Sequence, residues 1–561
     1  MTGEINKNKF VWQYWVLATI FLLGIFMLTL RPIADYDTGY HLKTGEYVVK
    51  NLEVPKQDVF TYTAPNAQWI AHYWLSDVVF YFVYVVFGGK GIIGFVSLLA
   101  VISYLIVLAT FWKKFGHSLV ILLLLPIYAY LMTQYWVPRP HLFSLLFSVL
   151  IIYLLERWRE TNKISYLYWL PAIFIVWANM HAGVVFGMVI LGLYAGGVLV
   201  KKRGEIKSII GPIGIFVTSC LVTLLNPNGY KLLTYGSTIA PVVKQYNILE
   251  WKPLLYYWDR IDAKAIIILM IITLVFVWWA QLRRKNNFFD INWISLGLVT
   301  GGVIMAFYST RHAGFFSLLV LPVVGFELEC FLREKQINIE KIRYTIPLVV
   351  AIGIVIILGP LLRLNKMDVI NHNLLPVNSV HFFKDMGISG PIFHHQHFGG
   401  YLIWQLWPQE KVFIDGRSEI AAGAPSEDYM SMMYLGNNFK YLFNEKYRIN
   451  SILLSYPDIA NKQGEKIVTA YTKELGFVPV FFDDAAILLV RPNKNNETLT
   501  KEYGYRYIHP LINIQNIKKE DLKEAYQEAL RSYSISPDSL VAKFFVMGIK
   551  SELDNFLKTS E

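Results

Sequence analysis

Long apolar runs separated by short polar connections fill the first two thirds of the chain. A transmembrane helix needs about 20 predominantly apolar residues, and about eleven runs come near that length. The pattern therefore predicts a polytopic α-helical membrane protein with about 11 transmembrane helices. They are predicted at residues 11–30, 91–112, 118–136, 141–155, 166–180, 183–200, 208–225, 264–281, 292–309, 313–331 and 346–363.

Basic residues between these runs predict the orientation. Lysine and arginine clusters follow every second run, from Lys113 and Lys114 to residues 333–343. Because cytoplasmic loops are enriched in these residues, we expect a cytoplasmic N-terminus and an outer face for the remaining connections. The apolar stretch 73–88 is short and contains Asp77. Counting it as a span would place every later basic cluster on the outer side of the membrane. We interpret it as a juxtamembrane or re-entrant helix on the outer side.

Polarity becomes ordinary after residue 363, which marks a change of domain. We expect a transmembrane domain at 1–363 with a first outer loop at 31–90, an extracytoplasmic α/β domain at 364–500 and a helical tail at 501–561. Within the α/β domain, short β-branched or aromatic runs predict strands and longer amphipathic stretches predict helices. The strands are predicted at 411–414, 451–454, 477–482 and 485–491, with a hairpin turn at Asp483 and Asp484, and the helices near 428–447 and 464–475.

Composition supports a multi-pass protein of the cell (plasma) membrane. The chain is 55% hydrophobic and only 17% charged, with a mean hydropathy of +0.39, which excludes a string of soluble domains. Its net charge of +11 resides in the clusters between apolar runs. We therefore predict no nucleic-acid partner.

Polar residues collect on the predicted outer face. The loop Asp35–Glu46 places carboxylates, His41 and Lys43 directly after the first span. Ionisable groups so close to hydrocarbon are costly and tend to mark substrate or ion sites. The other outer connections and the rest of the first loop add further candidates: Asp58, His72, Arg139, His141, His181, Arg311 and His312.

The first outer loop resembles that of GT-C glycosyltransferases, and is nearest to the oligosaccharyltransferase catalytic subunits. The resemblance rests on Asp35-Tyr36-Asp37, then Tyr40-His41, and then residues 45–49 and 55–62. It implies a sugar donor on polyprenyl phosphate or diphosphate, transfer on the outer face, and Asp37 at the catalytic centre as a base or metal ligand. A divalent metal (Mg or Mn) is the cofactor it implies, with Asp58 or His72 joining Asp37.

A second patch is similar in placement to the Trp-Trp-Asp-Tyr-Gly region with which oligosaccharyltransferases hold their acceptor. Residues 397–401 precede residues 412–417 here, but the Trp-Trp-Asp part is missing. The resemblance makes Tyr401, Asp415 and Arg417 acceptor-side candidates. The expected acceptor is an exported glycan, lipid or protein.

The chemistry of transfer agrees with these assignments. A phosphate-linked sugar carries a good leaving group, so transfer needs a carboxylate near the acceptor and positive charge near the departing phosphate. Guanidinium forks suit phosphate oxygens, and Arg139, Arg311 and Lys43 are our donor-phosphate candidates. Asp35 and Asp37 would share one face of an extended segment rather than flank a glycosidic bond, so hydrolysis ranks below transfer.

Structural explanations compete with each assignment. Asp35 and Asp37 suit helix capping, and Arg139 and Arg311 suit anchoring at the membrane interface. The histidines at 394, 395 and 397 with Asp415 offer a metal site, although their spacing matches no standard zinc pattern. Two other functions stay open: a transporter, which needs charges in mid-span and repeated halves, and a non-catalytic envelope scaffold on a GT-C-like bundle.

Overall fold

A computed structural model describes residues 11–201, 206–245, 249–284, 291–337, 353 and 368–560. The chain divides into two compact units, and each is formed from two separate segments. The first unit comprises Met1–Pro32 and Ile70–Val369, and the second comprises Ile33–Trp69 and Ile370–Glu561. The domain boundaries expected from the sequence differ from those of the two units at two places. Residues 33–69 of the first outer loop belong to the second unit, and so does the C-terminal tail.

The first unit is built from apolar helices. Five of the described helices are long and apolar enough to cross a membrane, and five shorter apolar ones have 10–17 residues. Ten of the predicted spans overlap a helix. The predicted span 346–363 lies outside the described residues except for residue 353, and the total of about eleven stays a prediction. The helices are Val11–Thr29, Trp74–Phe115, Leu119–Met132, His141–Thr161, Leu170–Met180, Val184–Lys201, Ile206–Leu221, Lys231–Gln245, Ile261–Arg284, Trp293–Tyr308 and Ala313–Glu334, with 3₁₀ turns at Thr133–Tyr135, Ile164–Trp169, Val222–Leu224, Leu249–Trp251, Leu254–Tyr257 and Thr310–His312.

The apolar stretch 73–88 is helical, as expected, but it runs directly into the next helix. Helix Trp74–Phe115 has 42 residues and is interrupted only at Gly88, whose φ of 64° and ψ of −164° are not helical. Glycine tolerates this positive φ because it has no Cβ. Two predicted elements are therefore joined through a single glycine kink.

A four-stranded sheet forms the centre of the second unit. Its strands are β1 (Ile392–His394), β2 (Ser451–Ser455), β3 (Val478–Phe482) and β4 (Ala486–Val490), in the order β1-β2-β4-β3. β1 pairs with β2 in parallel, with Ile392 opposite Ser451, whereas β2 and β3 both pair with β4 in antiparallel. The predictions of β2, β3 and β4 are confirmed, and β1 was not predicted.

The hairpin turn between β3 and β4 is also confirmed. Oδ1 of Asp483 accepts hydrogen bonds from the backbone N–H groups of Ala485 and Ala486, at 3.0 and 2.9 Å. The predicted strand at 411–414 is wrong, because Val412 makes only an isolated bridge, with Thr61. That bridge pairs the first loop with the C-terminal part of the second unit.

Helices surround this sheet, and the tail shares its core. Phe545 packs on Phe482 with ring centroids 5.9 Å apart, and Ala525 and Ile549 are fully buried in the same cluster. The tail is thus part of the second unit's core. The unit's helices are Thr38–Asn51, Val377–Asp385, Gly399–Leu406, Ser418–Ala421, Ala424–Met433, Phe439–Tyr441, Tyr456–Ile459, Lys462–Lys473, Glu497–Tyr503, Leu522–Ile535 and Leu540–Ser560, with 3₁₀ turns at Gln396–Phe398, Ile514–Asn516 and Lys519–Asp521 and a π turn at Leu442–Lys446.

Candidate functional site

Asp37 lies at the start of helix Thr38–Asn51 in the second unit. It occupies the N-cap position, but its side chain makes no capping bond. Asp35 does the capping, because its Oδ1 accepts from the N–H groups of Asp37 and Thr38, at 3.0 and 3.1 Å. The two aspartates therefore have different surroundings. Asp35 holds the helix start, and the half-buried Asp37 carboxylate is not used for that purpose.

Glycines let the C-terminal part of the second unit approach Asp37 closely. A Cβ at Gly416 would collide with Oδ1 of Asp37, and a Cβ at Gly400 would collide with the carbonyl oxygen of Tyr36. Helix Thr38–Asn51 packs on helix Gly399–Leu406 at this place. The structure thus brings the two patches that carried the sequence resemblance, around residues 35–41 and 397–417, into contact within one unit.

Three of the predicted site residues form a buried ion cluster with one another. The Arg417 guanidinium lies 2.7 Å from Oδ1 of Asp58 and 2.6 Å from Oδ2 of Asp415. All three side chains are almost completely shielded from solvent, and the guanidinium stacks over Trp69 at 4.4 Å from its ring centroid. Asp58 also accepts hydrogen bonds from the Thr61 N–H and hydroxyl. This cluster joins the first loop to segment 412–417.

The remaining candidates of the second unit lie on the two packed helices. Lys43 is largely buried and pairs with Glu46 at 2.8 Å. His41 is buried against the ring of Tyr40, with centroids 4.3 Å apart, and Tyr401 is buried too. The Lys43 ammonium group is thus already matched with a carboxylate of its own helix.

The first unit contains a second charged group. Arg139 and Arg311 both approach Glu250, with nitrogen-to-oxygen distances of 3.4 Å to Oε2 and 3.1 Å to Oε1. The Glu250 side chain is 44% exposed and that of Arg311 34% exposed. The Arg311 guanidinium also lies 5.4 Å from the centroid of the Trp251 ring. Sequence reasoning found both arginines but missed Glu250, which lies in a connection without a recognisable motif.

Hydrogen bonds to backbone carbonyl groups join the connections that carry Arg139, Glu250 and Arg311. The Thr310 N–H donates to the carbonyl oxygen of Lys252 at 2.9 Å, and the Ser309 hydroxyl donates to that of Glu250 at 3.1 Å. His141 Nε2 donates to the carbonyl oxygen of Tyr135 at 2.8 Å, and the Tyr135 hydroxyl donates to that of Thr310 at 2.6 Å. The arginine pair is therefore built on a fixed scaffold, in which His141 plays a structural part.

The other histidines of the first unit have mainly aromatic and hydroxyl neighbours. His72 is buried against Tyr235, with ring centroids 4.1 Å apart, and burial lowers its pKa to about 3. The ring centroids of His181 and His72 lie 6.0 Å apart, and Nδ1 of His181 lies 2.8 Å from the Ser144 hydroxyl oxygen. His312 packs on Trp251. At neutral pH the His72 ring is uncharged, so it adds no positive charge to this region.

The carboxylates of the first loop do not fit a metal site well. Asp58, which was expected to join Asp37, is instead held by Arg417 at 2.7 Å. In the part of the chain that the structure describes, one other group brings three candidate ligand atoms within 4.8 Å of one another: His395, His397 and Asp458.

Two solved structures with a similar fold come from the archaeon Archaeoglobus fulgidus. The protein resembles the archaeal oligosaccharyltransferase AglB from Archaeoglobus fulgidus in complex with an inhibitory peptide and a dolichol-phosphate, with a TM-score of 0.56 and 10% identity over 80% of this chain and 70% of that chain. It also resembles the Archaeoglobus fulgidus oligosaccharyltransferase in the apo form, with a TM-score of 0.51 and 10% identity over 82% of this chain and 71% of that one. No protein-family model matches the sequence, and no curated protein matches it significantly. The expected likeness in fold to oligosaccharyltransferases is confirmed.

Proposed function

We propose that this protein, which shares its fold with archaeal oligosaccharyltransferases, is an integral-membrane glycosyltransferase. It would move a sugar from a polyprenyl-phosphate-type donor to an exported glycan, lipid or protein acceptor on the outer face. The observation that carries the proposal is the arginine pair, in which Arg139 and Arg311 each bind one oxygen of Glu250. A phosphate offers the same kind of oxygens to two guanidinium groups.

Sugar transfer makes two demands on the protein. The acceptor nucleophile must lose a proton, and the bond from the sugar to the phosphate oxygen must break, with the electron pair leaving on the phosphate. Asp37 is our candidate for the proton acceptor, and Arg139 and Arg311 are our candidates for stabilising the departing phosphate. The two assignments rest on different units and are tested separately.

The arginine assignment predicts loss of lipid-phosphate binding. In full-length protein reconstituted in lipid nanodiscs, we expect Arg311→Ala to weaken the affinity for a long-chain polyprenyl phosphate by about 10- to 100-fold, since a hydrogen bond to a charged group contributes about 1.5–3 kcal/mol. Arg260→Ala is the matched control, because this arginine of the same unit pairs with Asp262 and is exposed. Equal affinities in both variants would contradict the assignment.

The Asp37 assignment predicts loss of turnover without loss of binding. We expect Asp37→Asn to release polyprenyl phosphate from a panel of polyprenyl-phosphate sugars at least about 100-fold more slowly, because general-base catalysis contributes typically 10²- to 10⁴-fold. Its affinity for polyprenyl phosphate should match that of the unaltered protein. Full turnover by the variant would contradict the role of Asp37 as proton acceptor, whereas absence of turnover in the unaltered protein would favour the scaffold or transporter function.

A further inference from the structure

Two parallel strands carry histidines and an aspartate to one edge of the sheet in the second unit. β1 and β2 are parallel neighbours, so their carboxyl ends lie at the same edge. His395 follows β1 directly, and Asp458 lies in helix Tyr456–Ile459, which follows β2 directly. The His395 N–H donates to the carbonyl oxygen of Leu453 at 2.9 Å, which extends the pairing to the loop. The two connections therefore converge.

The distances within this cluster suit a bound ion. Oδ2 of Asp458 lies 3.6 Å from Nδ1 of His395 and 3.5 Å from Nδ1 of His397. Ligands held about 2.0–2.1 Å from a tetrahedral metal ion are about 3.4 Å apart. Both histidine nitrogens thus lie at nearly this spacing from the Asp458 oxygen, and the three candidate ligand atoms all lie within 4.8 Å of one another.

The Nδ1 atom of His395 gives an independent indication. It is shielded from solvent and has no hydrogen-bond partner among the described residues, because 3.6 Å to Asp458 is too long for a hydrogen bond. Buried polar atoms without a partner are rare in folded proteins and call for a specific explanation. A metal ion would supply the missing partner of this nitrogen.

Neighbouring side chains hold two of the ligands in position. The Ser455 hydroxyl donates to Oδ2 of Asp458 at 2.6 Å. The Tyr36 ring stacks on the His397 ring, with centroids 4.4 Å apart and 9° between the planes. Contacts of this kind orient ligands and tune their affinity in established metal sites.

We propose that His395, His397 and Asp458 bind a divalent transition metal ion of the zinc class, with at least one coordination position left for water. Two imidazoles and one carboxylate favour zinc over magnesium or calcium, which prefer oxygen ligands. His394 is not a ligand, because its Nε2 accepts from the Phe413 N–H at 3.1 Å and its Nδ1 donates to the His395 carbonyl oxygen at 2.9 Å. This set differs from the one that the sequence suggested, because Asp458 replaces Asp415.

Zinc binding can be measured directly on the full-length protein. The protein is purified in detergent through a histidine-free tag, stripped of metal with a chelator and dialysed against ZnCl₂ alone. We expect about one bound zinc ion per chain, measured by elemental analysis. Cobalt should give visible absorption bands at the same stoichiometry. We expect His397→Phe and Asp458→Asn each to weaken zinc binding by at least about tenfold.

His397→Phe separates loss of the metal ligand from loss of packing, because it keeps a ring to stack on Tyr36 and removes the ligand nitrogen. His381→Phe is its control, since His381 is an exposed histidine of the same unit outside the cluster. Absence of stoichiometric zinc in the unaltered protein would overturn the proposal. Undiminished zinc in both His397→Phe and Asp458→Asn, with unchanged unfolding temperatures, would overturn it as well. Neither readout depends on glycosyltransferase activity.

Discussion

Two of the three-residue ion clusters among the described residues have opposite compositions. In the second unit one arginine, Arg417, lies between two carboxylates and all three side chains are buried. In the first unit two arginines share one carboxylate, that of Glu250, which is 44% exposed. The buried cluster has a formal charge of −1 and few routes to solvent, whereas the exposed one has a formal charge of +1. Under our proposal, the buried cluster with excess negative charge is structural and the exposed cluster with excess positive charge binds a phosphate.

Removing the central arginine of the buried cluster should have the largest effect. Arg417→Leu leaves two buried carboxylates without their cation, and breaking a buried ion pair in this way costs about 3–5 kcal/mol. We expect a lower unfolding temperature for the second unit and proteolysis within it. Arg417→Lys should be intermediate, because lysine keeps the charge but loses the two-pronged geometry.

Arg506→Leu serves as the control for Arg417→Leu, since Arg506 is an exposed arginine of the same unit. If the two leucine variants unfold at the same temperature, the buried cluster does not stabilise the unit. The same measurement on Glu250→Gln should show little change, because that cluster is partly exposed.

A buried carboxylate without an arginine sharpens the comparison. Asp483 is buried and is bonded only by neutral donors, the N–H groups of Ala485 and Ala486 and the amide of Asn378. Burial raises its pKa to about 6. Between about pH 4, the usual aspartate value, and pH 6 the folded state keeps a proton that the unfolded state has lost. Stability should therefore fall as the pH rises through this range.

Asp483→Asn should abolish this pH dependence and stabilise the hairpin above pH 6 by about 1–3 kcal/mol. The stability of the hairpin at each pH is measured by hydrogen exchange of the β4 amides, corrected for intrinsic exchange rates. Asp385→Asn, at an exposed position of the same unit, is the control. A pH dependence that persists in Asp483→Asn would have another origin.

The smallest expected effect concerns the exposed cluster. Glu250→Gln removes the carboxylate that competes with a phosphate for Arg139 and Arg311, so the affinity for polyprenyl phosphate should rise by about two- to tenfold, a gain that salt reduces. Asp262→Asn, which removes the carboxylate of an exposed pair in the same unit, should leave the affinity unchanged. Weaker binding by Glu250→Gln would mean that Glu250 positions the arginines rather than competing with the phosphate.

The length of the apolar runs was enough to predict ten of the eleven described helices of the first unit, with helix Lys231–Gln245 missed, and hydrophobic patterning predicted three of the four strands. β1 was missed because it has only three residues and relies on β2 for its pairing. The strand predicted at 411–414 has the right composition, but Val412 bonds to Phe60 and Tyr62 of the first loop instead of to the sheet. Pairings between residues this far apart in the chain leave no local signal.

The candidate site shows the same limit. Arg139, Arg311 and Asp37 stand out locally as charges beside apolar spans. Glu250 and Asp458 do not, because their importance comes from which side chains the fold brings next to them. Asp58 and Arg417 were recognised as special, but only the structure shows that they bind each other.

The second unit is discontinuous in the chain, since residues 70–369 separate its two segments. During synthesis the segment 33–69 emerges early and must wait for the last third of the chain before Asp58 can meet Arg417. Contacts of such high sequence separation slow folding. A fragment beginning at residue 370 would bury Arg417 without Trp69 and Asp58, so we expect it to fold only when residues 33–69 are supplied, either fused to it or as a separate peptide.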